Sequence, residues 1–171
     1  MSSHPFPHLT VSHTRTESSE FILPSDLNNM GNLFGGRLVS MIDKVGAIAA
    51  LKHVRGPIVT LSIDSLLFRK PVLGGAIVTI KSCVNRVFKR SMEVGVIAST
   101  LNPGEEEEVR VCSAYLTFVA LDKEGKPIEV AQIEPQTEEE IRRFNQALIR
   151  RENRLRLQTE LGKEHPTLAK N

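Results

Sequence analysis

The stretch from Gly36 to His53 is helical in pattern yet has no clear polar face. Leu38, Ile42, Val45 and Ala49 fall on one stripe at helical spacing, with Met41 and Ile48 beside it. The other faces carry Gly46, Ala47 and Ala50, all small, and only Arg37, Asp43, Lys44 and Lys52 break the character of the run. A helix that is apolar or small nearly all round is a buried helix. Arg55, Gly56 and Pro57 end it. The chain must therefore fold so that something covers this helix on more than one side.

Strands follow. Ile58 to Phe68 is rich in β-branched and apolar residues, and Pro71 to Gly75 makes a turn. Ala76 to Phe88 and Ser91 to Leu101 are separated only by Lys89 and Arg90, which predicts a hairpin. Asn102 to Glu105 is a strong turn before a strand at Val109 to Leu121, which Lys123 to Lys126 closes. Ahead of the helix, Glu17 to Leu23 predicts a short strand stopped by Pro24, and a turn-rich loop follows. Hairpin connections make the sheet antiparallel rather than βαβ, so the fold class is α+β. A lone sheet covers one face of the helix, and the remaining faces imply a second layer, most simply a partner subunit.

The ends of the chain read differently from its middle. Thr137 and Glu140 match a capping box for a final helix, and Glu138 to Glu140 complement its positive start. Arg142, Arg143, Arg150, Arg151, Arg154 and Arg156 make it look basic, although its acids nearly cancel them. It reads either as a solvated helix packed through Ile141, Leu148 and Leu155, or as an element for subunit contact or nucleotide binding. The first residues lack a continuous apolar segment, so no secretory signal is expected. His4, His8 and His13 have no acidic or cysteine partner at ligand spacing, and no metal or cofactor is expected. The expected organisation is a flexible arm over 1–16, one domain over 17–128 and a helical extension over 129–171.

Composition narrows the function classes. A net charge of +2 and the absence of Trp disfavour a generic nucleic-acid binder and a base-stacking platform. Cys83 and Cys112 lie inside apolar runs and read as small buried hydrophobes, which together with the sizeable core points to a cytoplasmic setting. No run reaches the ~18 apolar residues of a membrane span.

The candidate chemistry gathers between Pro24 and Asp43. Asp43 lies about 10 Å from the helix start, on an otherwise apolar or small face. It is either an exposed residue on a solvent stripe or a base in a cleft. Lys44 is a poor partner for it, because adjacent side chains on a helix point apart. Gly35 and Gly36 begin the helix; they either make a tight turn or let a ligand approach the free N–H groups there, which suit an oxyanion. Asn28 either shapes the loop or orients a water or carbonyl. A nucleophilic Ser40 would want a His within reach, and His53 is at the far end of the helix.

The segment Leu23 to Asp43, LPSDLNNMGNLFGGRLVSMID, resembles the signature of the hotdog-fold acyl-CoA hydrolases. The similarity continues through Ile58 to Phe68, Lys70-Pro71, Lys89 to Glu93 and Ala114 to Val119, in order, over roughly residues 17–126. The resemblance implies a long helix wrapped by an antiparallel sheet, with two subunits pairing into a continuous sheet and dimers often joining as trimers. It implies hydrolysis of acyl-CoA to fatty acid and CoA, with Asp43 activating water, Asn28 acting from the opposite subunit and Gly35 and Gly36 supplying the oxyanion contact. Lys89, Arg90 and Ser91 become candidates for the CoA phosphates, with Arg69 and Lys70 a second choice. The family's His-Gly-Gly is Phe34-Gly35-Gly36 here, which leaves the backbone contact in place and changes the pocket wall. The alternative is a hotdog protein that binds acyl-CoA without hydrolysing it. A dehydratase would need a His near the helix start, and the loop has none.

Overall fold

The turn signals that follow the helix build a single antiparallel sheet. The computed structural model describes residues 9–164. Its elements are β1 (Leu9–Thr10), α1 (Val11–Thr14), β2 (Thr16–Phe21), a 3₁₀ turn (Pro24–Asp26), α2 (Gly35–Val54), β3 (Ile58–Phe68), β4 (Ile77–Val87), β5 (Ser91–Leu101), β6 (Val109–Ala120), β7 (Ile133–Glu134) and α3 (Glu138–Glu164). The five long strands lie in the order β2-β4-β5-β6-β3, every neighbour antiparallel. The long helix and the four strands after it fall where hydrophobic pattern and turn chemistry place them. Residues 9–16, read as part of a flexible arm, are instead built in. β1 pairs with β7 in parallel, and Val11 and Thr14 are buried. Thr14 also accepts the Val84 N–H at 3.0 Å, just beyond the point where β2 stops pairing with β4. His4 and His8 lie outside the described residues; His13 is exposed on α1.

The inner face of the sheet holds α2. Val78, Ile80 and Val84 of β4, Met92, Val94 and Val96 of β5, and Leu116 and Phe118 of β6 pack with Leu38, Ile42, Val45 and Ala49 of the helix. Full burial of each large side chain is worth about 1.5–3 kcal/mol. Gly46 lies against the sheet itself: a Cβ there would stand 3.5 Å from Val96, Leu116 and Phe118. The missing side chain brings helix and sheet together. Cys83 and Cys112 are buried and free, and burial pushes both thiols up.

The cover is incomplete on one side. β3 is an edge strand, and its Val59, Leu61, Leu67 and Phe68 are exposed, as are Ile48 and Leu51 of α2. The opposite edge, β2, exposes Glu17, Ser18, Ser19 and Glu20. Charged and polar side chains blunt an edge, whereas an apolar edge is a template for pairing. The two edges thus differ in what they invite.

The outer face carries α3, and of the packing residues expected, Ile141, Leu148 and Leu155, only Leu148 is half-buried. Ile141 and Leu155 are exposed, while Glu140, Phe144, Ala147, Arg150 and Arg154 face inward. The reason lies in the sheet, whose outer face is polar. Glu93 is buried there and takes two bonds from Arg150, at 2.7 and 3.0 Å, and one from Asn85 at 2.9 Å. The Arg150 guanidinium also stacks 3.6 Å from the Tyr115 ring centroid, and Arg86 stands 4.0 Å from that of Phe144. The capping box forms: Glu140 N–H donates to Thr137 Oγ1, and Glu140 Oε2 accepts the Thr137 and Gln136 N–H groups. Burial pushes the Glu140 carboxyl up, but those N–H groups and the Arg15 guanidinium at 2.7 Å outweigh it and hold it below its ordinary value.

Breaking the Glu93–Arg150 pair strands a buried carboxylate, so Arg150→Met should cost about 3–5 kcal/mol in denaturant unfolding. Glu93→Met/Arg150→Met together should recover most of that loss. A lowered carboxylate stabilises the fold above its unfolded pKa and ceases to do so as pH falls through its folded one. Acid unfolding of Glu140→Gln should therefore show a smaller loss of stability than wild type once pH drops below about 4.5.

Candidate active site

The loop before α2 is braced from three directions. Asp26 accepts the Leu23 N–H at 3.1 Å and Arg37 Nε at 3.0 Å, and Arg37 also reaches Glu20 at 2.8 Å. The Leu23 N–H, then the Arg37 guanidinium, hold the Asp26 carboxyl below the usual carboxylate range. Phe34 N–H donates to Asp26 O, and Leu33 N–H to Val72 O, each at 2.8 Å. Within this frame Asn28 makes the turn: its Oδ1 accepts Met30 N–H at 2.9 Å and Asn32 N–H at 3.2 Å. Gly31 follows at φ 76°, a conformation that favours glycine. The oxygen of Asn28 is thus committed to the loop, while among the described residues its Nδ2 has no partner.

The helix start is open. Phe34 is the N-cap, without a side-chain cap, and its carbonyl accepts Arg37 and Leu38 N–H at 2.9 and 3.2 Å. The N–H groups of Gly35 and Gly36 have no acceptor among the described residues, as the geometry of a helix start requires. The Phe34 ring lies over Gly36, so close that a Cβ there would meet Cε1 at 2.6 Å. Phe68 closes the other side, its ring 3.6 Å from where a Cβ of Gly35 would stand. Beside this start is a cavity of about 320 Å³, lined by Asn32, Gly35, Leu38, Phe68, Arg69 and Lys70 among others.

Asp43 is half-buried, neither on a solvent stripe nor sealed in the core. Thr60 Oγ1 donates to its Oδ1 at 2.8 Å, which orients the carboxylate and leaves lone pairs of Oδ2 open. Thr60 escapes a reading by pattern because threonine is an ordinary strand former inside a β-branched run. The only available signal is parity: Thr60 pairs with Phe118 and so faces the helix. Ser40 is exposed, and His53 at the far end of α2 gives its Nε2 proton to Ala131 O at 2.7 Å. The two do not meet.

One subunit does not bring all the candidates together. The hairpin Lys89-Arg90-Ser91 sits where β3 begins, since Ala120 both pairs with Ile58 and donates to Arg90 O. The cavity sits where β3 ends, at Phe68, so roughly 30 Å separates them. Lys89 forms an exposed ion pair with Glu129 at 3.2 Å, and Arg90 is exposed. The cations at the cavity are Arg69 and Lys70. Gly36 and Asp43 are themselves about 10 Å apart along the helix axis.

Residues 30–107 match the Thioesterase superfamily. An uncharacterized acyl-CoA thioester hydrolase of Bacillus subtilis, YkhA, is 43% identical over 154 residues, covering 85% of this chain and 88% of that one. The chain belongs to the thioesterase superfamily. Its superfamily fold also matches a hexameric acyl-CoA thioesterase solved without ligand (37% identity, TM-score 0.84, 88% of this chain and 97% of that one). A Staphylococcus aureus acyl-CoA hydrolase in complex with butyryl coenzyme A and coenzyme A matches as well (33% identity, TM-score 0.86, 96% and 100%). Three further matches are variants of that hydrolase, Asn28→Ala, Asp43→Ala and Thr60→Ala. The domain has the long helix and wrapping antiparallel sheet of the hotdog fold that the resemblance implies. Among the described residues no helix is long and apolar enough to cross a membrane.

The Asp26 brace has a defined acid limit. Its contribution is present above the ordinary carboxylate pKa and is lost as pH falls through the lowered one. Amide exchange at Met30 and Asn32 should stay slow through the usual carboxylate range and speed up only below it. Asp26→Asn should speed it already at pH 7.

Proposed function

We propose that this chain hydrolyses acyl-CoA thioesters to fatty acid and CoA, with Asp43 activating water at a site shared between two subunits. The observation that carries this reading is the half-buried Asp43 carboxylate, oriented by Thr60 on a helix otherwise packed for burial. A carboxylate held on one oxygen has the other free to take a proton from water. The water attacks the thioester carbonyl, the oxyanion settles on the open N–H of Gly36, and CoA thiolate leaves without needing a strong acid.

Distance decides how the site is divided. General base and oxyanion donors must both lie within about 3–3.5 Å of their reacting atoms. Gly36 and Asp43 of one helix are about 10 Å apart, so one carbonyl is served by Gly36 of one subunit and Asp43 of the other. The apolar β3 edge supplies the junction. Antiparallel pairing of β3 with its two-fold mate sets the start of one strand beside the end of the other. That arrangement carries Lys89, Arg90 and Ser91 of one subunit toward the cavity and the Arg69-Lys70 pair of its mate, where CoA phosphates need cations. Asn28 shares the loop of Gly36, so its Nδ2 faces the mate's Asp43.

Two further facts support the reading. The S. aureus hydrolase binds butyryl coenzyme A and coenzyme A, and a related thioesterase is hexameric. Its alanine variants concern residues 28, 43 and 60, and this chain carries Asn28, Asp43 and Thr60 at those numbers.

Thiol release from acyl-CoAs of graded chain length tests the activity. Asp43→Ala should lower kcat by about 10²–10⁴ with little change in KM, and Thr60→Val by roughly tenfold. Subunits carrying Asn28→Ala and Asp43→Ala, each nearly inactive alone, should on 1:1 mixing recover about a quarter of wild-type activity, because half the dimers then hold one intact site of two. If wild type releases no thiol from any acyl-CoA, the enzyme reading fails. Verified mixed dimers that stay inactive would refute the shared site.

A further inference from the structure

The C-terminal helix runs on past the sheet that it covers. Its contacts mark the crossing strand by strand: Arg143 lies on Cys83 of β4, Arg150 on Glu93 of β5 and Tyr115 of β6, and Arg154 on Asp64 of β3. From Arg143 to Arg154 the helix advances about 16 Å. Three strand spacings amount to about 14 Å. The helix therefore crosses the strands nearly at right angles, and at Arg154 it stands over the last strand. It continues to Glu164.

The stripe that faces the sheet continues as well, but its chemistry changes. Arg143, Ala147, Arg150, Arg154, Leu157 and Leu161 follow one another at intervals of four and three residues, so they share one face. Under the sheet this stripe is arginine and alanine, matched to the polar outer face. Beyond β3 it becomes leucine, and Leu157 and Leu161 are 55% and 51% exposed. Leu161 lies about 10 Å beyond Arg154, or two strand widths past the edge. The outer face of β3 is unpartnered in a complementary way. Val59 and Leu67 share that face with Val119 and Ser113, on either side of the point where α3 crosses, and are 45% and 62% exposed.

The geometry points to α3 as a strap across the dimer junction, with Leu157 of each subunit seated on the outer face of its mate's β3 beside Leu67, the more exposed of the two residues, and Leu161 one strand further on. This rests on the pairing of β3 edges proposed above. A two-fold axis at that junction makes the contact reciprocal: each subunit gives its overhanging leucines and receives its mate's. The occupant is a second copy of this chain because the helix stripe and the strand patch flank the same free edge. The strap lies on the face of the sheet away from Asp43. It contributes to holding the site together and not to the chemistry.

Sedimentation over a dilution series of the full chain tests the strap. Leu157→Glu/Leu161→Glu should raise the dimer dissociation constant at least about tenfold, since apolar area that the dimer buries becomes charged. Helicity should not change, because both side chains are exposed in the single subunit. Leu157→Cys subunits mixed with Leu67→Cys subunits should form an intersubunit disulfide on mild oxidation. An unchanged dissociation constant in the double variant would overturn the strap. So would loss of a hexamer with the dimer intact, which would assign the leucines to contacts between dimers. Leu61→Lys on the β3 edge separates this from the underlying reading. If Leu61→Lys splits the dimer and the helix variant does not, only the strap fails. If Leu61→Lys leaves the dimer intact, or wild type is monomeric throughout, the β3 pairing fails and the strap with it.

Discussion

A helix without a polar face cannot be finished by one sheet. α2 packs Leu38, Ile42, Val45 and Ala49 into the inner face, and Gly46 draws it close, yet Ile48 and Leu51 remain exposed. The sheet has a deficit of its own, the apolar edge left by β3. Each feature alone would be an aggregation hazard. In the proposed dimer a second copy covers the β3 edge, and Asp43, tied to β3 through Thr60, lies beside it.

The outer face solves a different problem. A sheet in the middle of a domain is usually apolar on both sides, but this one places Glu93, Asn85 and Tyr115 outward and meets them with arginine. Glu93 with Arg150 is worth little as a net gain over an apolar pair, because desolvating both charges offsets most of their attraction. Its value is positional. An arginine fork accepts one register of α3 over the strands, whereas a leucine stripe tolerates several. Register matters for an element whose last turns extend beyond the sheet, since a shift by one turn would move those turns by about 5 Å.

The order of elements was legible because it rests on periodicity and turn chemistry. α2 has a sustained 3.6-residue pattern, and the hairpin at Lys89-Arg90 is set by a two-residue gap. β1 and β7 escaped because two-residue strands have no period to detect, and α1 because a single turn has none either. The face of α3 was misassigned for another reason. A rule that sends leucine inward and arginine outward assumes an apolar surface beneath the helix, and the outward residues of β4, β5 and β6 read as ordinary alternation. Thr60 was hidden because strand propensity already accounts for it. Asp43 stood out for the opposite reason: neither propensity nor helix periodicity accounts for a carboxylate there.

In the loop before α2, one residue's scaffold role bears on the chemistry proposed for it. Asn28 spends its oxygen on the Met30 and Asn32 amides, which fixes the direction of its Nδ2. Reading it as a turn former and reading it as a donor to a carbonyl are therefore not rivals, because the turn takes up the oxygen and leaves the Nδ2 for the proposed role. Asp26 and Arg37 tie that turn to the first turn of α2, so Asn28 and the free N–H groups of Gly35 and Gly36 belong to one hydrogen-bonded unit. Asp43 belongs to a second unit, α2 and β3 joined through Thr60, about two helix turns further on. Two units on one helix cannot converge on one carbonyl. Two copies related by a two-fold axis can, and in the proposed dimer the pairing that covers the β3 edge would also assemble the site.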